Sequence, residues 1–95
     1  MLYGGEGNDK LYGESSADIL YGGAGEDTLS GGTSTDELHG GDGDDKLYGG
    51  SSSDILHGDD GDDYLKGHSS ADELYGGNGN DTFYVSSKSD SVTEE

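Results

Sequence analysis

From residue 4 to residue 84 the chain runs through one nine-residue frame nine times without an insertion: GGEGNDKLY, GESSADILY, GGAGEDTLS, GGTSTDELH, GGDGDDKLY, GGSSSDILH, GDDGDDYLK, GHSSADELY and GGNGNDTFY. Position one is Gly and position six Asp in all nine, and position eight is Leu in eight, with Phe83 in the last. Met1-Leu2-Tyr3 reads as the end of a further repeat, so more coils are expected ahead of it. Phase held this strictly is the mark of a stacked repeat architecture. It outweighs a composition that by itself describes a disordered chain: 26% hydrophobic and 27% charged residues, 20 glycines and a net charge of −18.

The frame has a physical reading. Positions seven to nine, such as Ile19-Leu20-Tyr21, suit a three-residue strand in which position eight faces one way and its neighbours the other. The apolar position must be the inside, which makes Leu2, Leu11, Leu20, Leu29, Leu38, Leu47, Leu56, Leu65, Leu74 and Phe83 the core. The preceding six positions hold Gly, Ser, Asn and Asp, which favour turns and positive φ. Each repeat is then a turn plus a strand, and two repeats make one 18-residue coil. Stacked coils give an all-β solenoid of two short parallel sheets with turns on both flanks.

Several function classes drop out. No cysteine is present, which removes disulfides and thiolate metal sites. Charge of −18 argues against nucleic acid or an anionic membrane as direct partner. No apolar run reaches membrane-spanning length, and no signal segment opens the chain. An EF-hand loop fails because Lys46 and Leu47 follow Asp42 and Asp44 where a ligand and a glycine are required. No phosphate-loop GKS or GKT occurs, and the histidines sit in repeat slots rather than in a catalytic constellation. Aspartates stacked about 4.8 Å apart would repel one another, so a counter-ion is implied. Ca²⁺ suits carboxylates and main-chain carbonyls in adaptable geometry, whereas Mg²⁺ keeps its waters. Transition metals would be expected to recruit His39, His57 and His68, none of which occupies the invariant position.

The pattern GGxGxDxUx, repeated in phase over residues 4–84, resembles the RTX (repeats-in-toxin) calcium-binding β-roll family. The resemblance implies a right-handed parallel β-roll with ions between turns stacked on the same flank. It assigns carboxylate ligands to Asp9, Asp27, Asp45, Asp63 and Asp81 on one flank, and to Asp18, Asp36, Asp54 and Asp72 on the other. Main-chain carbonyls are expected from positions two and four: Gly5, Gly7, Gly23, Gly25, Gly32, Gly41, Gly43, Gly50, Asp59, Gly61, Gly77 and Gly79, with Ser16, Ser34, Ser52 and Ser70 on the second flank. Five turns leave four gaps and four turns leave three, so up to about seven Ca²⁺ are expected, bringing −18 to −4.

Alternate repeats face opposite flanks, so position four is Gly on one side and Ser on the other. Positions three and five are often acidic on the Gly flank (Glu6, Glu26, Asp42, Asp44, Asp60, Asp62). On the Ser flank they are small: Ser15, Ala17, Thr33, Thr35, Ser51, Ser53, Ser69 and Ala71. Either both flanks bind calcium, the Gly flank more tightly because positive φ costs serine about 1 kcal/mol, or the Ser flank binds none and is held by hydroxyl-to-backbone bonds. Glu14, Asp59 and His68 replace glycine at position two, and the His68 turn departs most from the pattern.

Position nine forms two outward ladders: Tyr3, Tyr21, His39, His57, Tyr75 and Tyr12, Ser30, Tyr48, Lys66, Tyr84. Cross-strand pairing accounts for them. The alternative is an adhesive surface for polysaccharide, a cell surface or ice. Asn80-Asp81-Thr82 matches a glycosylation sequon, but Asp81 is an expected ligand. Residues 1–84 are expected to form the β-roll and residues 85–95 a C-terminal capping extension. Resemblance to RTX proteins implies a non-catalytic module of a larger bacterial protein, exported by type I secretion machinery and folding on extracellular calcium. No membrane insertion and no nucleic-acid binding are expected.

Overall fold

Leucine recurring every ninth residue can be shielded on both sides only if successive repeats lie on opposite faces of one thin core, and the chain does this. A computed structural model describes residues 1–68, 70–85 and 91–93. Among these residues run eleven strands: β1 (Leu2–Gly5), β2 (Lys10–Tyr12), β3 (Ile19–Ala24), β4 (Thr28–Gly32), β5 (Glu37–Asp42), β6 (Lys46–Gly50), β7 (Ile55–Asp60), β8 (Tyr64–His68), β9 (Glu73–Tyr75), β10 (Thr82–Tyr84) and β11 (Ser91–Thr93). Odd strands form a parallel sheet in the order β1-β3-β5-β7-β9-β11, and even strands a second in the order β10-β8-β6-β4-β2. Register is constant at one coil, as in Leu20↔Leu38↔Leu56↔Leu74 on one sheet and Leu29↔Leu47↔Leu65 on the other. The expected parallel β-solenoid is what forms.

Two leucine rows, one from each sheet, make the core, and the molecule measures 32 × 28 × 13 Å. Leu20, Leu29, Leu38, Leu47, Leu56, Leu65 and Leu74 are fully buried, with Leu2 and Phe83 partly buried against them. Burying each leucine contributes about 2 kcal/mol.

Strands are longer than the three residues expected. β3, β5 and β7 have six residues, because the glycines of the following repeat keep pairing: Gly23↔Gly41↔Asp59 continue the ladder. The inward row consequently contains more than leucine. Asp27, Leu29 and Gly31 are all buried, and so are Asp45, Leu47 and Gly49, so positions six, eight and one alternate inward at the strand period of two.

At the C-terminal end, β11 pairs in parallel with β9 through Val92↔Leu74. The rest of the expected capping extension, residues 86–90 and 94–95, lies outside the described residues, as does Ser69 on the Ser flank.

Candidate metal centre

The turns owe their shape to two backbone positions. Every residue at positions two and four has positive φ: Gly5, Gly23, Gly32, Gly41, Gly50 and Gly77 share position two with Glu14, Asp59 and His68, while Gly7, Gly25, Gly43, Gly61 and Gly79 share position four with Ser16, Ser34, Ser52 and Ser70. Glycine enters this region without penalty, and a side chain costs about 1–2 kcal/mol. Ser52 at φ 75° and His68 at φ 73° carry that strain. Asp59 recovers part of it, since its Oδ2 accepts the Gly41 N–H at 3.2 Å.

Position one is glycine for a different reason. Its φ is ordinary, but a Cβ on Gly40 would stand 2.6 Å from Oδ2 of Asp45 and 2.8 Å from the carbonyl of Gly58. Gly22 and Asp27 stand in the same relation, with a 2.7 Å approach. Each turn therefore folds its aspartate back over its own first glycine. The two invariant positions of the frame are a contact pair.

Position-six carboxylates make an unbroken ladder. Oδ1 of each accepts the backbone N–H of the aspartate one coil earlier: Asp9 to Asp27, Asp27 to Asp45, Asp45 to Asp63 and Asp63 to Asp81 on the Gly flank, at 2.7–2.9 Å. The Ser flank matches it with Asp18 to Asp36, Asp36 to Asp54 and Asp54 to Asp72 at 2.7–2.8 Å. Oδ2 of Asp9, Asp18, Asp27, Asp36, Asp45, Asp54, Asp63 and Asp81 is buried and meets no donor. A carboxylate oxygen left so is costly, which is why such groups are paired or bound to metals. Burial drives the pKa up from 3.8, to about 7 for Asp45 and Asp54 and about 8 for Asp63, with neighbouring aspartates adding to the rise and the backbone N–H opposing it. Asp27 and Asp36 are raised for the same reasons. Among the described residues no positive side chain offsets the rise at any of the five.

Carbonyls of positions two and four run along the same gaps. A Cβ on Gly25 would run into the Gly7 carbonyl oxygen, one on Gly43 into that of Gly25, and one on Gly77 into that of Asp59. On the Ser flank two position-two carbonyls also take backbone bonds, Glu14 from Thr33 N–H at 2.7 Å and Gly32 from Ser51 N–H at 3.0 Å. A carbonyl has two lone pairs, so these bonds leave acceptor capacity. Hard oxygen donors, a buried negative charge and unsatisfied carboxylate atoms are the chemistry that a Ca²⁺ ion requires, and the residues fit it. Bound there, calcium supplies the positive charge these turns lack.

The frame concealed a second ladder. On the Gly flank, Oδ1 of the position-five residue accepts the N–H one coil later: Glu26 to Asn8, Asp62 to Asp44 and Asn80 to Asp62, each at 2.8 Å. Its signal was the confinement of Asn and Asp at position five to that flank, which on charge alone reads as surface acidity.

The chain matches the profile of the RTX calcium-binding nonapeptide repeat (four copies) over residues 1–29, 21–56, 30–65, 48–83 and 57–91. No curated protein and no solved structure gives a significant match. Repeats of this type are typically non-catalytic and typical of secreted proteins, and no helix among the described residues is long and apolar enough to cross a membrane. In-phase glycines and aspartates, a two-sheet parallel solenoid and the profile match converge: this chain belongs to the RTX calcium-binding repeat family and is a calcium-binding β-roll.

Proposed function

We propose that the chain is a calcium-triggered folding module of a secreted protein, exported unfolded by type I secretion machinery and closing on calcium outside the cell. The observation that carries this reading is the ladder of position-six carboxylates in which the buried second oxygen of Asp27, Asp36, Asp45, Asp54 and Asp63 meets no donor among the described residues. Such a stack is self-repulsive until cations neutralise it. Adjacent turns would share ions, so coils should order cooperatively, as in other nearest-neighbour arrays.

Asp9, Asp27, Asp45, Asp63 and Asp81 would hold ions on the Gly flank, and Asp18, Asp36, Asp54 and Asp72 on the Ser flank, with the carbonyls of positions two and four. Matching hydrogen bonds to the carboxylates on both flanks support calcium on each. Hydroxyl bonding is a weaker rival, since the bond described there is Thr33 Oγ1 to the Glu14 carbonyl at 3.3 Å. Four gaps plus three give seven ions, and the strained serines predict looser binding on their side.

Circular dichroism of the full chain in chelator, then with calcium, tests the reading. The expected result is a disordered spectrum that converts to β-structure in one sigmoidal transition. Ordered β-structure persisting in chelator at pH 7.5 would overturn it. Calorimetric saturation near seven ions supports two binding flanks, and saturation near four restricts binding to the Gly flank.

A further inference from the structure

Away from the turns, the outer face of the odd-strand sheet brings two imidazoles and a carboxylate together. His39 on β5 and His57 on β7 are partners in the parallel ladder, with rings 4.7 Å apart and within 2° of parallel. Glu37 lies two residues before His39 and so on the same face. Its Oε2 is 2.6 Å from Nε2 of His39. One donor atom from each of Glu37, His39 and His57 lies within 4.8 Å of the others, and all three residues are half-buried.

Both rings stack with their neighbours. Tyr21 stacks on His39 at 4.8 Å, Tyr75 on His57 at 4.9 Å and Tyr3 on Tyr21 at 4.9 Å, so five aromatic rings lie in one column. Tyr75 directs its hydroxyl to Glu73 at 2.7 Å, away from the imidazoles. Asp59 and Glu73 also flank His57, but Asp59 accepts the Gly41 N–H and Glu73 the Tyr75 hydroxyl, and Glu37 is the carboxylate with an oxygen within 4.8 Å of a nitrogen on each ring.

Two imidazole nitrogens and one carboxylate oxygen are a borderline-soft donor set, unlike the all-oxygen turns. Zn²⁺, Ni²⁺ and Cu²⁺ prefer such sets and Ca²⁺ does not. We propose that Glu37, His39 and His57 form a site for one divalent transition-metal ion, separate from the calcium turns and linking two successive coils across the sheet face. Metal–nitrogen bonds of about 2.1 Å in tetrahedral geometry place the two nitrogens roughly 3.4 Å apart. Stacked rings point their in-plane lone pairs almost parallel. Both imidazoles must therefore turn out of the column about their side-chain torsions for the lone pairs to converge on one ion, giving up stacking with Tyr21 and Tyr75, and water completes the coordination.

The test titrates Ni²⁺, and separately Zn²⁺, into the untagged full chain saturated with calcium, so that the aspartate turns are already occupied. One additional ion per chain is expected. His57→Tyr should weaken its binding at least tenfold while leaving the calcium-saturated circular dichroism unchanged, because tyrosine already occupies other rungs of the column at 3, 21 and 75. Electron paramagnetic resonance of the Cu²⁺-loaded chain should show coupling to two nitrogens, falling to one in His57→Tyr. Absence of a saturable site, or wild-type affinity retained in both His39→Tyr and His57→Tyr, would overturn the proposal. Should His57→Tyr fail to fold, His39→Tyr and the wild-type nitrogen count decide.

Discussion

Asp45 takes the backbone N–H of Asp27 on Oδ1 at 2.7 Å and keeps Oδ2 buried with no donor. One carboxylate thus bonds its turn to the turn one coil earlier and leaves a charge that a cation must answer. Asp45→Asn separates the two roles, since the amide oxygen can still accept the Asp27 N–H while the amide nitrogen replaces Oδ2. The calcium midpoint for folding, followed by circular dichroism, should rise about tenfold, the equivalent of roughly 1.4 kcal/mol. Bound calcium should fall by up to two ions, because Asp45 borders two gaps. Asp42→Asn, at an exposed position three, should move the midpoint less than about twofold.

Protons should substitute in part for calcium. Burial holds the folded-state pKa of Asp45 and Asp54 at about 7 and of Asp63 at about 8, against an ordinary 3.8. Raised values mean that the metal-free fold binds more protons than the unfolded chain between pH 3.8 and about 8, so its stability declines as pH rises through that window. Without calcium, β-structure should be greater at pH 4 than at pH 8. With limiting calcium the dependence should reverse, because binding displaces those protons. A metal-free spectrum identical at both pH values would contradict the cause assigned here.

Glycines of the frame should differ in their tolerance of a methyl group. A Cβ on Gly40 meets Asp45 Oδ2 at 2.6 Å and backbone oxygen at 2.8 Å, whereas one on Gly7 meets nothing within 4 Å and suffers only φ +97°. Gly40→Ala should destabilise the calcium-loaded fold by about 3 kcal/mol, the upper range for overpacking. Gly7→Ala should cost about 1 kcal/mol. Urea unfolding in saturating calcium measures both, and equal losses would remove the contact pair as the reason for invariant glycine.

Serine at position four should be a liability that glycine relieves. Ser52 stands at φ 75°, so Ser52→Gly should stabilise the calcium-loaded chain by about 1 kcal/mol and lower the calcium midpoint. The same urea and calcium titrations report it. A loss of stability would show that the hydroxyl makes a bond worth more than the strain.

Much of the solenoid was legible in the chain because its period is local. Leucine at position eight had to face inward, and two nonapeptides had to close a coil. Sequence reading stopped the strands at position nine, while Gly23↔Gly41 pairing carried them into the next turn. It took position-one glycine for turn chemistry, where the structure shows room for an aspartate. It also passed over Asn8, Asp44 and Asp62, whose Oδ1 atoms form a ladder that only stacked turns can reveal.

By itself the sequence determined the repeat, the buried leucine row, the two chemically distinct flanks and the acidic turns that call for calcium, because each follows from residue types at fixed spacing. Tertiary structure decided what meets across coils: the Asp27–Asp45 bond, the Gly40–Asp45 contact and the Glu37–His39–His57 cluster. Residues 18 apart in the chain become neighbours about 4.8 Å apart only when parallel strands stack. Which atoms of those neighbours face each other depends on backbone angles that spacing does not contain.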